Sequence, residues 1–590
     1  MALDALNRLE KHWRWWLLLF WLAVAGYFVV SRWASIQGFA LSDTDDNLRM
    51  MQVRGLIEGQ GWYDLRQYRL APPAGADIHW SRLVDLPIAG LKLAFAPLFG
   101  GRAAELIAVA VAPMLPMLVA LAALGVVARR LVAPWAFLVA AGLLICAGSA
   151  RGMWVPLRID HHGWQLAMLA LALMALTDPK RARGGAILGA ATAASLTIGL
   201  EMLLYLALAG GATGLRWVWD GAEARRLAAY GVTLAGGCAL GFLLFASEAN
   251  RAPVCDALSP VWLSTMSAAG ALAVLLAMLN PGSRIARLGV AALGGIALAA
   301  AFAFFWPQCL GRLERTPPEL DELWLNRVRE AMPVYRHGAQ TAALILTPVI
   351  AGLAGYALML WRHRGDAVRL IPWAALAAPA LLAAALLMWQ TRAGPAAQLL
   401  SIPGATALAW ALLAWLHGQK SILVRVAGIV AAFLVISGLA TGALTEFFPR
   451  EVTDYRRSVN LANARCPTLA ALAPVGRQPR GIVLTFVDLG PRLIAVTHHD
   501  ALAGPYHRNS RAIIDVMRAW RGDDANARAT IERYRVDYVL ICPNLSESTV
   551  YRAEAPAGFY ARLARGEAPG WLIPVPLPEN SPYKMWRVTN

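Results

Sequence analysis

The stretch Ser42-Asp-Thr-Asp-Asp-Asn-Leu-Arg49 follows directly on the first long apolar run and carries three carboxylates, those of Asp43, Asp45 and Asp46. Asp and Asn favour helix ends, so one interpretation of this stretch is a solvated cap on a membrane helix. The other is a divalent-metal or catalytic carboxylate cluster at a membrane–water boundary. The rest of the chain has to decide between these two interpretations.

The composition is that of a polytopic membrane protein. Hydrophobic residues make up 58% of the 590 residues and charged residues only 15%, whereas about a quarter of the residues are charged in an ordinary soluble protein. The net charge of +17 comes from short, mostly Arg clusters between the apolar runs, which is typical of topology signals. We therefore expect the lipid bilayer, and no nucleic acid, as a partner.

The apolar runs predict an α-helical membrane domain over residues 1–445 with about thirteen spans. They lie at roughly 15–36, 104–127, 132–150, 163–177, 184–199, 201–217, 227–247, 261–279, 286–306, 339–361, 370–390, 402–416 and 423–445. Lys and Arg collect in alternate loops and before the first span, so the N-terminus is predicted to be cytoplasmic. Everything polar and unusual then falls on the external face, in the loops 37–103, 151–162 and 307–338 and in the tail.

The tail, residues 446–590, differs in composition from the rest and predicts a small external α/β domain. Strand-like runs at Gly481–Phe486 and Val536–Ile541 alternate with helix-like stretches at Ser510–Trp520 and Ala527–Tyr534. Of the six cysteines, four fall in segments predicted to be external, which allows one or two disulfide bridges. Those four are Cys255, Cys309, Cys466 and Cys542.

A second polar cluster, Asp160-His161-His162, stands immediately before a predicted span. It combines an oxygen ligand with imidazoles, a mixture suited to Mn²⁺ or Mg²⁺ and to phosphate contact. The alternative interpretation is that these are polar residues that cap the following helix. Because the predicted topology puts this triplet on the same side as Asp43, Asp45 and Asp46, we expect a cation between the two clusters.

Four further residues are candidates for this face. Glu330 precedes Pro333 close to the next span and so can return towards the other acids. Arg392, at the external end of a span, is either a snorkelling anchor or a phosphate clamp. His79 and Arg82 in the first external loop either pack that loop or bind the phosphate or sugar of a donor.

In their order, these motifs resemble the catalytic subunit of oligosaccharyltransferase, a family of GT-C membrane glycosyltransferases. Asp43-Thr-Asp-Asp-Asn-Leu-Arg49 resembles its first aspartate motif, and Asp160-His161-His162 resembles its second. Val328-Arg-Glu330-Ala-Met-Pro333 resembles a Val-x-Glu segment followed by Pro, and Arg392 with Pro403 and Ala405 resembles the span that holds the lipid diphosphate. In the tail, Phe486-Val-Asp488-Leu-Gly490 stands where the family has Trp-Trp-Asp-Tyr-Gly, and His498 to Asn509 continues the order.

The resemblance implies a GT-C fold and the transfer of a sugar or oligosaccharide from a polyprenyl-(di)phosphate carrier to a periplasmic acceptor, which is a protein, a lipid or a polysaccharide. It also implies roles for the candidate residues. The divalent cation would be bound by Asp43, Asp45, Asp160 and His162, with catalytic roles for Asp43, Asp45, Asp46 and Glu330. The donor phosphate would be bound by His161, Arg392, Arg82 and His79, and the acceptor by Asp488, His498, His499, Tyr506 and His507.

Two observations keep alternatives open. Phe486 and Val487 replace both tryptophans of a signature that helps the family recognise an Asn-x-Ser/Thr acceptor, so a GT-C enzyme that adds one sugar to a lipid or polysaccharide is a second hypothesis. A polysaccharide or lipid transporter is disfavoured, because the acids collect at one face and few lie within spans. Arg-rich cytoplasmic loops favour a bacterial inner membrane.

Overall fold

The computed structural model describes residues 10–447 and 452–589, and the predicted fold class, a helical membrane protein with a C-terminal α/β domain, is confirmed. Eight helices are long and apolar enough to cross a membrane. They are Trp13–Ser31, Gly101–Leu131, Gly221–Phe245, Pro260–Leu279, Arg284–Phe305, Ala339–Arg362, Ala367–Leu386 and Thr391–His417. A ninth span arises if Ile422–Ile436 and Leu439–Glu446, which meet at 81°, cross as one broken segment.

Each of the thirteen predicted apolar runs contains a helix, but the count of thirteen spans is not confirmed. The helices in the remaining runs are shorter or less apolar: Ala136–Cys146, His162–Leu176, Arg181–Ile198 and Leu203–Trp219. A helix satisfies its own backbone hydrogen bonds, which is what a segment in hydrocarbon requires.

The loop 37–103, which is predicted to be external and is called here the first external loop, folds into two helices, Thr44–Ile57 and Asp85–Phe99, and an antiparallel pair of short strands, β1 (Arg66–Gln67) and β2 (Ala76–Asp77). The first of these helices begins at Thr44 because Asp43 has an extended backbone and its Oδ1 accepts the Thr44 N–H at 2.7 Å. The loop that ends in the span Ala339–Arg362 contains the short helix Pro318–Leu323 and single 3₁₀ turns.

The C-terminal domain is built on a five-stranded mixed sheet with the order β4-β3-β5-β7-β6. The strands are β3 (Ile482–Leu484), β4 (Asp500–Ala501), β5 (Tyr538–Ile541), β6 (Leu572–Pro574) and β7 (Lys584–Val588). β3 runs parallel to β4 and β5, whereas β7 is antiparallel to β5 and β6. The helices of this domain are Asp454–Arg465, Leu469–Leu472, Gly490–Val496, Ser510–Arg521, Asp524–Tyr534, Ser548–Glu554 and Phe559–Arg565. The predicted domain boundary at 446 adjoins residues 448–451, which lie outside the described ranges.

The C-terminal domain shares one apolar core with the first external loop. Leu48, Met51 and Trp80 of the loop pack in the same cluster as Val487 and Tyr506 of the domain. A polar contact reinforces this interface, because the buried Arg492 guanidinium donates to the Phe39 carbonyl at 2.8 Å and to Asn47 Oδ1 at 3.2 Å. The helix Thr44–Ile57 is therefore held between the membrane domain and the C-terminal domain.

Two disulfides lie in the segments predicted to be external. Cys255 bonds Cys309 and joins two loops of the membrane domain, and Cys466 bonds Cys542 within the C-terminal domain. Cys146 and Cys238 are free. Structural disulfides persist in oxidising compartments such as the bacterial periplasm.

Candidate active site

The two aspartate motifs meet, and a single guanidinium joins them. Arg158 lies 2.7 Å from Asp43 Oδ2, 2.7 Å from Asp160 Oδ2 and 3.5 Å from Asp46 Oδ2. In addition, Asp46 Oδ1 accepts the backbone N–H of Asp160 at 2.9 Å. Asp46 and Asp160 have fully buried side chains, and Arg158 is the cation that both carboxyl groups contact.

Asp45 is the exception among the first-loop acids. Within the described part of the chain, its carboxylate accepts no hydrogen bond and forms no ion pair, whereas Asp43 caps its helix and Asp46 holds the backbone of Asp160. Burial, with Asp43 and Asp160 nearby, raises the pKa of Asp45 to about 7. The half-buried Asp45 is therefore the first-loop carboxylate with free ligand atoms.

The Asp-His-His triplet is ordered by its own contacts. Asp160 Oδ1 accepts the backbone N–H of His162 at 3.0 Å, and Asp160 Oδ2 lies 3.0 Å from His162 Nδ1. Burial alone would raise the pKa of Asp160, but Arg158 and His162 outweigh it and hold that pKa well below its usual range. The Asp160 carboxyl is thus ionised, and its contact with Nδ1 directs Nε2 of His162 away from it.

Glu201 completes the cluster from the other side. Its Oε1 lies 2.8 Å from His161 Nε2, and its Oε2 accepts a hydrogen bond from the Gln165 side chain. The rings of His161 and His162 stack with centroids 4.4 Å apart. One ligand atom from each of His161, His162 and Glu201 can lie within 4.8 Å of the others, a spacing able to hold a metal ion.

The predicted metal set of Asp43, Asp45, Asp160 and His162 is only partly assembled. Arg158 stands between Asp43 and Asp160, and among the described residues the group with metal-site spacing here contains His162 with His161 and Glu201. The donor chemistry nevertheless fits a divalent cation, because Asp45 has free oxygens and the carboxylates of this cluster outnumber its cations. Glu201 is not among the site residues predicted from the sequence.

Arg392 and Glu330 form a separate, more exposed pair on the same side. The Arg392 guanidinium donates to Glu330 Oε1 at 2.6 Å, and the two side chains are 37% and 59% exposed. Thr391 Oγ1 fixes the loop by donating to the Glu330 carbonyl at 3.2 Å. Neither side chain contacts the first-loop carboxylates, so Glu330 supports Arg392 rather than joining the predicted catalytic acids directly.

Arg82, which the sequence predicts to bind the donor phosphate, lies within the packing of the first loop. Its side chain is fully buried and donates to Asp85 Oδ2 at 3.3 Å, to the Gln52 carbonyl at 2.9 Å and to the Asp64 carbonyl at 2.7 Å. These contacts pack the first loop and leave the guanidinium out of reach of a lipid phosphate. His79 is likewise part of another group, with its ring centroid 4.6 Å from that of His507.

Three of the predicted acceptor residues also make internal contacts. Nε2 of His498 pairs with the Gln478 carbonyl at 2.8 Å, Nε2 of the buried His499 pairs with the Val475 carbonyl at 2.9 Å, and Tyr506 donates to the Thr44 carbonyl at 3.1 Å. His498 and His499 thus stabilise the loop to which they belong. Tyr506 instead fixes the start of the helix Thr44–Ile57.

Asp488 is the predicted acceptor residue that faces the cluster. Asp488 is exposed, and desolvation together with Glu547, Asp43 and Asp45 raises its pKa to about 8. Glu547 accepts the backbone N–H groups of Val487 at 2.9 Å and Asp488 at 2.8 Å. Two carboxyl groups therefore stand side by side across from the first-loop acids.

Phe486 and Val487 are fully buried. The Phe486 ring packs against Trp520, Tyr551 and Tyr560 with centroids 5.6–6.0 Å apart. These two positions thus belong to the core of the C-terminal domain and present no aromatic surface to an acceptor.

Sequence reasoning missed Arg49 and Arg158. The buried Arg49 donates to Asp85 Oδ1 at 2.8 Å, lies over the Trp80 ring at 4.4 Å and has Nη2 3.5 Å from His161 Nδ1. The available signal was that each Arg stands within a few residues of a catalytic-type Asp, in the segments 42–49 and 158–162.

No protein-family model and no curated protein match this sequence. Solved structures of an oligosaccharyltransferase from Archaeoglobus fulgidus do match its fold. The protein AglB, in complex with an inhibitory peptide and a dolichol-phosphate, superposes with a TM-score of 0.69 at 14% identity over 96% of this chain and 73% of that chain. The chain has the fold of an archaeal oligosaccharyltransferase. The GT-C fold expected from the motifs is thereby confirmed.

Two further structures of the archaeal enzyme agree. One, tethered to an acceptor peptide containing the sequence NVT, gives a TM-score of 0.68 at 15% identity over 97% of this chain and 74% of that chain. Another, in complex with Zn and sulfate, gives a TM-score of 0.58 at 14% identity over 90% of this chain and 68% of that chain. At these identities the oligosaccharyltransferase likeness concerns the fold.

Proposed function

We propose that this protein is a glycosyltransferase that moves a sugar or oligosaccharide from a polyprenyl-(di)phosphate carrier to an acceptor on the external face of the membrane. The observation that carries the proposal is the meeting of Asp43, Asp45 and Asp46 with Asp160 and His162, at the external ends of the helices of an oligosaccharyltransferase-like fold. Such a place suits a donor whose tail lies in the bilayer and whose phosphate lies at its surface.

A divalent cation, Mn²⁺ or Mg²⁺, would be held by Asp45 and His162, with Asp160, Asp43 or Glu201 completing its shell. When bound it would neutralise the leaving phosphate as a Lewis acid. Arg158 keeps Asp43, Asp46 and Asp160 in one arrangement by direct ion pairs. The residues around the ion are therefore positioned before the donor binds.

Arg392 is the cation best placed to meet a donor phosphate. It is partly exposed at the external start of the span Thr391–His417, and Glu330 orients it. Charge grows on the phosphate oxygens as the sugar leaves, so a guanidinium there stabilises the transition state more than the ground state. His161, which Glu201 holds, would contact the same group.

Asp45 is also placed to act on the acceptor, either by taking its proton or by orienting its nucleophilic atom. Asp488 faces the first-loop acids from the C-terminal domain and would line the acceptor side of the cleft. His507 and Tyr506 shape that side through the interface they help to form.

A second function, addition of a single sugar to a lipid or polysaccharide, is favoured by one observation. Phe486 is buried against Trp520, and Glu547 takes up the backbone N–H groups of Val487 and Asp488. The surface that would read the hydroxyl of an Asn-x-Ser/Thr acceptor is therefore absent from this part of the described chain. Modification of an extracted glycolipid with no modified protein would favour this second function.

The host membrane proposed is the bacterial inner membrane, with the N-terminus cytoplasmic and the C-terminal domain periplasmic. The bridges Cys255–Cys309 and Cys466–Cys542 support that orientation, since both lie on the side assigned to the periplasm.

The test of the proposed function is sugar transfer by the purified full-length protein in detergent. A labelled lipid-linked donor fraction from the host should lose its sugar to an extracted acceptor, and EDTA should stop the transfer until Mn²⁺ or Mg²⁺ is restored. Detergent removes any gradient, so transfer under these conditions excludes a pure transporter. Wild-type protein that leaves the donor intact with both metals present would refute the proposal.

A further inference from the structure

Three metal-ligating side chains from distant parts of the chain meet outside the aspartate cluster. His79 belongs to the first external loop, Asp256 follows Cys255 between two spans, and His507 belongs to the C-terminal domain. One ligand atom of each lies within 4.8 Å of the others. His507 Nε2 is 2.6 Å from Asp256 Oδ2, and the two imidazole centroids are 4.6 Å apart.

The charges around this group leave room for a cation. Arg508 binds both oxygens of Asp256, at 2.8 and 2.7 Å, and also Asp77 Oδ2 at 2.9 Å. Two carboxylates thus face one guanidinium, so among Asp77, Asp256 and Arg508 the carboxylates are in excess by one charge. These side chains are mostly buried, so that charge is poorly solvated.

One polar atom points to a missing partner. Nδ1 of His79 is shielded from solvent and has no hydrogen-bond partner in the described structure. Most buried polar side-chain atoms have a partner, and an ordered water or a bound ion supplies one where the protein does not. A metal ion bound by His79, Asp256 and His507 would meet that need.

We propose that His79, Asp256 and His507 form a Zn²⁺ site that fastens the C-terminal domain to the membrane domain. Imidazole and carboxylate groups are zinc ligands, and with three of them water fills the fourth position. Tetrahedral bonds of about 2.0–2.1 Å place ligand atoms about 3.3 Å apart, so the His507–Asp256 contact opens slightly and His79 moves inward. The site shares none of the residues proposed to hold the catalytic ion.

The geometry explains what such an ion would do. The Cys255–Cys309 disulfide anchors the loop that carries Asp256, and Trp80, next to His79, packs against Tyr506 with ring centroids 5.6 Å apart. Zinc would therefore join three segments that also border the aspartate cluster. It would fix the C-terminal domain over the active cleft and take no part in the chemistry.

The metal content of the full-length protein tests this site. The protein in detergent is stripped with EDTA, reloaded with Zn²⁺, passed through a desalting column and measured by inductively coupled plasma mass spectrometry. Asp256→Asn and His507→Ala should each hold one zinc fewer than wild type. His417→Ala, which changes an exposed histidine at the end of the span Thr391–His417, should hold as much as wild type. Equal zinc in wild type, Asp256→Asn and His507→Ala would overturn the proposal.

A second measurement does not depend on how those variants fold. Asp160→Asn, altered only at the aspartate cluster, is stripped and titrated with Co²⁺. The proposal predicts the visible absorption of a tetrahedral Co²⁺–imidazole site, and loss of this band when His79→Ala is added. If Asp160→Asn binds no Co²⁺, the His79 group is not a metal site, whatever the transfer activity of the wild type.

Discussion

Replacement of Asp45 by Asn separates folding from chemistry at the aspartate cluster. Asp45 makes no hydrogen bond or ion pair in the described structure, and its charge is opposed by Asp43 and Asp160. Replacing this carboxylate by the amide of Asn therefore removes no stabilising contact. We expect the free energy of unfolding to change by no more than about 0.5 kcal/mol, the usual range for such a site.

The effect on transfer should be large. Asp45 offers the free oxygens to a metal or an acceptor, and losing one charged group that acts in the transition state costs about 2.7–4 kcal/mol, or about 10²–10³ in rate. The same change at Asp46 should act differently, because it weakens the 2.9 Å bond from the Asp160 N–H and the pairing with Arg158. A lost buried partner costs about 1–3 kcal/mol of stability.

The assay pairs sugar transfer in detergent with thermal unfolding of the same preparations. Glu58→Gln is the matched control, because Glu58 lies exposed at the far end of the same helix. It should match wild type in both measurements. Transfer by Asp45→Asn within about threefold of wild type, a change below 1 kcal/mol in barrier, would refute the assigned role.

Three further predictions concern other residues. Arg158→Gln leaves Asp46 and Asp160 without their shared cation and should lower the free energy of unfolding by about 3–5 kcal/mol; a loss below 1 kcal/mol in urea unfolding would contradict the bridging role. Arg392→Ala should lower kcat for transfer, because it removes a charge that acts mainly in the transition state, with little change in Tm, because its side chain is partly exposed. The buried Arg82→Ala should instead lower Tm strongly; the reverse pattern in a donor titration and a thermal melt would exchange their roles. Phe486→Ala empties a site among three aromatic rings and should cost about 3–5 kcal/mol of stability, so a stable but inactive variant would mean that Phe486 contacts the acceptor after all.

The broad architecture followed from the sequence because its causes are local. Apolar runs of spanning length and clustered Arg residues predict membrane helices whatever their neighbours are. The span count did not follow in the same way, since the apolar helices Ala136–Cys146 and His162–Leu176 are shorter than a membrane span requires. The meeting of Asp46 with Asp160 was expected from their common face and their motifs.

The side-chain contacts within the site depend on tertiary packing, which cannot be predicted from the sequence pattern. Arg158 and Arg82 are both arginines in polar external segments, yet Arg158 bridges the aspartates while Arg82 is buried beneath the first loop. Likewise, His79 and His507 are 428 positions apart in the numbering of the chain but have ring centroids 4.6 Å apart. Only the docking of the C-terminal domain on the first loop brings such residues together.

The measurement that tests the central claim most directly is mass spectrometry of lipid-linked sugars and glycoconjugates from a host strain that lacks the gene. The account predicts that one glycoconjugate disappears and its polyprenyl-linked donor accumulates, that wild-type protein reverses both changes, and that Asp160→Asn reverses neither although it is present in the membrane. Identical glycoconjugates in the deletion strain and the parent, or full reversal by Asp160→Asn, would contradict it.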